Sequence, residues 1–313
     1  MPPIRLGLVG VGKIARDQHF PAIAATEGIE LAAVASRSAS LEEVPSFASQ
    51  SEMLAGAEID AVALCTPPQV RHELALEALK AGKHVILEKP PGATLSEMDD
   101  LVAAAKAEGV SLFATWHSRF SPAVEPATEW LSARRAKKVR IVWKEDVRRW
   151  HPGQDWIWEP GGLGVFDPGI NALSIATAIL PQPFFLTKAA LTFPENRQAP
   201  IAADLAFTDA TGVDFTAEFD WRQEGPQTWD ITIETDDGGR LALSEGGKKL
   251  ILNDQPTVDA PDAEYRGIYA HFVDLVGSQR SDVDVSPLRH VADAFMLGHR
   301  QITEPFFDDG GKA

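Results

Sequence analysis

The chain opens with a strand-like run, Ile4 to Val9, that passes directly into Gly10-Val11-Gly12-Lys13-Ile14-Ala15. The spacing is G-x-G-x-x-A, and the chemistry it offers is the binding of a pyrophosphate. Gly10 permits a tight turn, Gly12 lets the backbone approach the phosphates, and Ala15 lets the following helix pack close to the strand. Lys13 and Ile14 then open that helix, where free N–H groups and the helix dipole favour negative charge. The alternative is a plain tight turn; the position at the first strand–helix junction favours a cofactor. About twenty residues further on, the second strand ends at Ala35-Ser36-Arg37. An NAD-selective site would place Asp or Glu there for the ribose 2′-hydroxyl. A hydroxyl at Ser36 and a guanidinium at Arg37 suit the 2′-phosphate of NADP instead. NADP is therefore expected to be preferred, with NAD usable, unless Arg37 is only a solvated loop charge.

The elements needed to position these groups are legible from periodicity. Strand patterns at Ile4 to Val9, Ile29 to Ser36, Ala61 to Thr66, His84 to Glu88 and Ser111 to Thr115 alternate with helical patterns at Lys13 to Ala25, Val70 to Ala81 and Leu95 to Ala107. Strands apolar on both faces, alternating with helices, predict a parallel sheet covered on both sides. The period then changes. Val139 to Trp143, Phe215 to Trp221 and Trp229 to Ile233 alternate apolar and polar residues, as strands with one buried face do, and Asp236-Asp237-Gly238-Gly239 reads as a turn. Helical patterns at Ala172 to Ile179, Tyr269 to Val276 and Leu288 to Gln301 complete the second half. The expected fold is α/β: an N-terminal doubly wound parallel sheet over residues 1–120, then an α/β domain with a large, mostly antiparallel open sheet over 121–313. All eight Trp fall between Trp116 and Trp229, and residues 1–115 contain neither Trp nor Tyr, which places the composition break near 116–124. The tail Asp308 to Ala313 is expected to fray.

Composition narrows the function. With 313 residues there is room for about two domains. A formal charge of −16 argues against nucleic acid or an anionic membrane as partner. The single Cys65 excludes a disulfide framework, and no Cys/His cluster has the spacing of a metal site. No apolar stretch is long enough to span a membrane, and Leu6 to Gly12 lacks the features of a signal peptide. A cytoplasmic protein acting on a small molecule is expected.

A more specific signal lies in Ala81-Gly82-Lys83-His84-Val85-Ile86-Leu87-Glu88-Lys89-Pro90, preceded by Cys65-Thr66-Pro67-Pro68 and His72. With the opening fingerprint, it resembles the Gfo/Idh/MocA oxidoreductases over essentially the whole chain. The resemblance implies a Rossmann domain and a second α/β domain whose open sheet often forms a subunit interface. It implies that Thr66, Pro67, Glu88 and Lys89 line the cofactor and that Lys89 lies beside nicotinamide and substrate. Trp116-His117-Ser118-Arg119, the run Trp143 to Pro152 and Phe166-Asp167-Pro168-Gly169-Ile170-Asn171-Ala172 are similar to the family's aldose 1-dehydrogenases of L-arabinose and D-galactose. Many family members carry Asp and, four residues later, His on this last segment. Here the pair is Asp167 and Asn171, and Asn171 cannot be a general base.

On that resemblance Lys89 takes the hydroxyl proton during hydride transfer, since burial and a cationic nicotinamide disfavour its charged form; the alternative is a surface pair with Glu88. Pro90 and Pro91 restrict the backbone around it. Asn171 would position the anomeric hydroxyl and steady the oxyanion. Asp167, Glu145 and His117 are candidates for reading sugar hydroxyls. The two carboxylates could equally pair with Arg148 or Arg119, and His117 could be a satisfied buried histidine. Trp150, then Trp229, are the expected sugar walls, with Trp130, Trp143 and Trp221 in the core. The loop Gly161 to Gly164 could approach substrate, and His72 is expected to be structural. A homodimer through the exposed sheet face is expected, although its Thr, Glu and Asp residues could face water. Another sugar or inositol dehydrogenase on this scaffold, or a non-catalytic NADP-binding sensor, are the competing readings.

Overall fold

The computed structural model describes residues 2–307; the tail expected to fray, Asp308 to Ala313, lies outside the described residues. The first strand, β1 (Ile4–Val9), leads into a π-helical stretch, Ala15–His19, that continues as α1 (Phe20–Ala24). There follow β2 (Ile29–Ala35), β3 (Ser46–Phe47), α2 (Gln50–Gly56), β4 (Ala61–Leu64), α3 (Arg71–Lys80), β5 (His84–Leu87), α4 (Leu95–Glu108) and β6 (Leu112–Ala114). All six strands are parallel, in the order β3-β2-β1-β4-β5-β6. Two runs of consecutive strands diverging from β1 create the switch point at which open α/β sheets bind ligands, outside the strands' carboxyl ends. The strands are buried on both faces, and Val62, Leu64, Val85 and Leu87 pack with Met98 and Leu101 of α4 in one core. α4 starts at a capping box between Thr94 and Glu97, so its first-turn donors are satisfied where the chain leaves the β5 loop.

The chain continues through α5 (Val124–Leu131), β7 (Ala136–Lys144), α6 (Val147–Trp150) and α7 (Phe166–Ile179) to the strands β8 (Phe184–Pro194), β9 (Ala202–Asp209), β10 (Asp214–Asp220), β11 (Thr228–Thr235), β12 (Arg240–Ser244), β13 (Lys249–Leu252) and β14 (Gln255–Asp259). It ends with α8 (Glu264–Gly277), α9 (Ser286–Leu297) and β15 (His299–Thr303). Nine strands form the second sheet, in the order β14-β13-β12-β11-β7-β10-β9-β8-β15. β7–β10 and β8–β15 run parallel and the other pairs antiparallel. α7 lies close on this sheet at Gly169, where a Cβ would come within 2.7 Å of the Phe219 ring.

Two compact units result: the residues up to His117 together with Ala263–Val285, and Ser118–Asp262 together with the segment from Ser286. The second unit is thus not one continuous stretch from residue 121, because α8 returns to the first. The return is fastened by side chains: Trp116 Nε1 donates to the Asp284 carbonyl at 2.8 Å, and the Leu112 N–H donates to Ser281 Oγ at 3.0 Å. The helical pattern Leu288 to Gln301 stops at Leu297 and becomes β15. Gly298 makes that break, with space for no Cβ beside the Ala294 carbonyl at 2.5 Å.

Candidate active site

The sequence-predicted cofactor residues gather at the carboxyl ends of β1, β2, β4 and β5. Gly10 has φ of +95°, and a Cβ there would stand 2.8 Å from the Cys65 carbonyl oxygen, so the turn between β1 and the helix admits only glycine. Gly12 differs: it is exposed, and a Cβ would meet no heavy atom within 4 Å. Nothing in the chain itself therefore opposes a side chain there. Lys13 and Ile14 are exposed at the helix start, and Lys13 pairs with Asp17. Ser36, half-buried, ends β2; Arg37 beside it is exposed and makes no ion pair among the described residues. Thr66, one loop after β4, has its hydroxyl buried without a hydrogen-bond partner, and Pro67 beside it is exposed. A buried, unpaired hydroxyl costs roughly 1–3 kcal/mol. A glycine turn, an open backbone face at Gly12 and this hydroxyl fit a dinucleotide: Gly10 to Ile14 would hold the pyrophosphate and Thr66 would donate to it.

Glu88 and Lys89 follow β5 directly, and the Lys89–Pro90 peptide is cis. Lys89 is half-buried. Glu88 is buried and does not form the surface pair considered for it. Its Oε1 accepts from Tyr265 Oη at 2.7 Å and lies 3.0 Å from His19 Nε2, while its Oε2 accepts the Lys89 backbone N–H at 2.8 Å. Burial would raise the Glu88 pKa, but the hydrogen bond and charge of His19, the charge of His117 and the Tyr265 hydroxyl hold it well below the usual carboxylate range. Burial likewise opposes the charge on His19, yet Cys65, Tyr269 and Glu88 outweigh it and raise its pKa. Burial pushes the Tyr269 hydroxyl, 2.6 Å from His19 Nδ1, up to about 12. His117 stacks on Tyr265 with its Nδ1 2.5 Å from Glu264 Oε2. Burial opposes its charge, and Glu264 and Glu88 raise its pKa while Lys89 acts against them. Arg71, buried at the start of α3, donates to the carbonyls of Thr66, Glu88 and Pro90, tying the loops after β4 and β5 together.

In the second unit, Glu145 follows β7 and is buried, with Oε1 accepting from Trp221 Nε1 at 3.2 Å and Oε2 from Trp229 Nε1 at 2.9 Å. Trp150 is exposed at the end of α6, its ring 5.5 Å from that of Trp229. The two expected sugar walls and Glu145 are thus brought together. Asp167 is buried in the first turn of α7, with Oδ2 3.3 Å from His151 Nε2. Asn171, one turn on, is half-buried and its amide makes no hydrogen bond among the described residues. Arg148 pairs with Asp146 and Glu224, at 2.9 and 2.7 Å, and Arg119 donates to the Ser174 carbonyl and Thr177 Oγ1.

Other expectations shift. Trp143 and Trp221 are core, but Trp130 is half-buried under the Arg134 guanidinium. The Gly161 to Gly164 loop approaches its own chain: Cβ atoms at Gly162 and Gly164 would fall 2.2 Å from the Trp156 carbonyl and 2.4 Å from the Pro200 carbonyl. His72 is structural, joining α3 to α4 through Asp100 at 2.8 Å. Sequence reasoning missed His19, Arg71, Tyr265 and His151. Only His151 had a signal, its place in an Arg-Arg-Trp-His-Pro run.

A parallel sheet in this strand order, with a glycine turn closing β1 and a lysine closing β5 over a buried acid, defines a dinucleotide-binding Rossmann oxidoreductase. The chain belongs to the Gfo/Idh/MocA oxidoreductase family, whose NAD-binding Rossmann model matches residues 4–115. It is 48% identical over 309 residues to a galactose 1-dehydrogenase of Pseudomonas fluorescens, covering 98% of this chain and 100% of that one. The crystal structure of a D-galactose-1-dehydrogenase from Rhizobium etli superposes with a TM-score of 0.94 at 58% identity, covering 98% and 99% of the two chains. KijD10, a 3-ketoreductase from Actinomadura kijaniata in complex with NADP and TDP-benzene, shares the fold at 20% identity, with a TM-score of 0.83 over 96% and 99%.

Proposed function

We propose that this protein is an aldose 1-dehydrogenase that oxidises the anomeric carbon of D-galactose, and of L-arabinose, to the aldonolactone. The observation that carries the reading is its near full-length identity with two galactose 1-dehydrogenases. L-Arabinose enters because the two pyranoses share ring stereochemistry and differ at carbon 5 by a hydroxymethyl. A bound nicotinamide supplies the hydride acceptor for the C1 hydrogen. Lys89 takes the proton of the C1 hydroxyl as the carbonyl forms. Asn171 donates to the developing oxyanion, and Asp167, paired with His151, accepts from a hydroxyl. Glu145 fixes the Trp229 ring as a sugar wall beside Trp150, a carboxylate being an acceptor suited to sugar hydroxyls. His117, its pKa raised by Glu264 against the effect of burial, serves as a donor.

NADP is the preferred cofactor in this reading, with Arg37 on the 2′-phosphate, and NAD is usable. The reading extends to a cytoplasmic homodimer joined through the second sheet's polar face of Thr216, Glu218, Thr232 and Glu234, which sedimentation would test. Among the described residues no helix is long and apolar enough to cross a membrane.

The test is a panel of aldoses with each cofactor, followed at the reduced-nicotinamide absorbance. D-Galactose and L-arabinose are expected to lead it; turnover only with inositols or keto compounds would replace the assignment, and inertness would favour a sensor. Lys89→Ala should lower kcat by about 10²- to 10⁴-fold with cofactor Kd nearly unchanged. Near-normal turnover would remove Lys89 from the chemistry.

A further inference from the structure

The chain has two tyrosines, and both lie on α8, four residues apart. Both hydroxyls are spent on one buried network, Tyr269–His19–Glu88–Tyr265. The imidazole comes from the π-helical stretch Ala15–His19, where a wider turn re-aims side chains relative to an α-helix. Burying a carboxylate is expensive, and well-packed apolar groups would often stabilise as well or better. What distinguishes Glu88 is its neighbour, because its second oxygen holds the Lys89 N–H. Arg71 holds the carbonyl of that same peptide, at Glu88, and the Pro90 carbonyl beyond it.

We propose that His19 and Tyr265 are positioning residues for Lys89, acting through Glu88. Their two donors fix the carboxylate, and the carboxylate fixes the lysine backbone from which the amine extends. The inference rests on Lys89 as the proton acceptor of the proposed reaction. The groups facing the carboxylate are His19, Tyr265, His117, the Lys89 backbone N–H and, behind them, Tyr269 and Cys65, and the network holds the Glu88 pKa down against its burial.

Tyr265→Phe, His19→Leu and His19→Gln test it in the full-length protein. Two readouts are taken: steady-state kinetics with D-galactose, and the rate of Lys89 acetylation by acetic anhydride relative to exposed Lys106, measured by mass spectrometry. Tyr265→Phe and His19→Leu should lower kcat about tenfold, with the sugar KM within about threefold, and should change the labelling ratio by about threefold or more. His19→Gln, whose amide can replace the Nε2 donor, should return both towards the parent. An unchanged labelling ratio in folded Tyr265→Phe and His19→Leu, or identical behaviour of His19→Leu and His19→Gln, overturns the proposal. Should His19→Leu fail to fold, Tyr265→Phe, which keeps the ring, decides. An inert parent whose labelling ratio still responds sinks the aldose reading and leaves the positioning role standing; an active parent with an unresponsive ratio does the reverse.

Discussion

Gly10 and Gly12 stand two residues apart in one turn, and the structure separates their duties. In Gly10→Ala the new methyl must be accommodated at φ +95° and 2.8 Å from the Cys65 carbonyl oxygen, which is backbone and cannot swing aside. The left-handed conformation alone costs an L-residue roughly 1–2 kcal/mol, and the contact adds about as much again. A loss of about 2–4 kcal/mol should lower the melting temperature by about 5 °C or more. Gly12→Ala carries neither burden, having open space and no positive φ, so its melting temperature should stay within about 2 °C of the parent. Its methyl would instead stand where a pyrophosphate meets the backbone, weakening cofactor binding by at least about tenfold, or about 1.4 kcal/mol. Scanning fluorimetry gives the first quantity and titration of NADP against protein fluorescence gives the second. A Gly12→Ala variant that binds cofactor as tightly as the parent would refute the placement of the phosphates at this turn.

Arg37→Ala should raise the NADP KM by about tenfold and leave NAD nearly untouched; parallel kinetics with both cofactors check it, and equal effects on the two would make Arg37 a bystander. Trp150→Ala, which removes an exposed ring tilted against that of Trp229, should raise the sugar KM by about tenfold with little change in melting temperature. His117 has its pKa raised from 6.5 in the folded chain. Its pairing with Glu264 should therefore stabilise fully below pH 6.5 and weaken as pH rises through the folded value. The melting-temperature gap between the parent and His117→Gln should be largest at the acid end and shrink towards alkaline pH; a gap that widens there reverses the argument.

The cofactor half was legible because its signals are local. A glycine turn at the end of the first strand and strands apolar on both faces each declare themselves within a few residues. The second sheet was legible only where one face stayed polar, as in β10 and β11. β8 escaped, since its pattern is broken by the register shift between Leu186 and Lys188. The site was harder still. Glu145 looked ready for sugar hydroxyls or arginines, and what it holds are two indole N–H groups from strands far along the chain. Tyr269 read only as the start of a helical pattern and Tyr265 was not read at all, because nothing in their own segment shows that the Tyr269 hydroxyl meets an imidazole some 250 residues earlier. Interactions across such separations leave no periodic trace, and the π-helical stretch that aims His19 has no composition of its own.

The return of α8 to the first unit has a consequence for biosynthesis. As the ribosome delivers the chain, the parallel sheet can assemble early, but Glu88 enters a core whose tyrosine donors do not yet exist. The nascent cofactor half must wait with a buried acid only partly satisfied until residues 263–285 emerge, after the whole nine-stranded sheet except its last edge has been synthesised. A fragment ending at residue 117 would be arrested in that waiting state, so the first part of the chain to be made is among the last to mature.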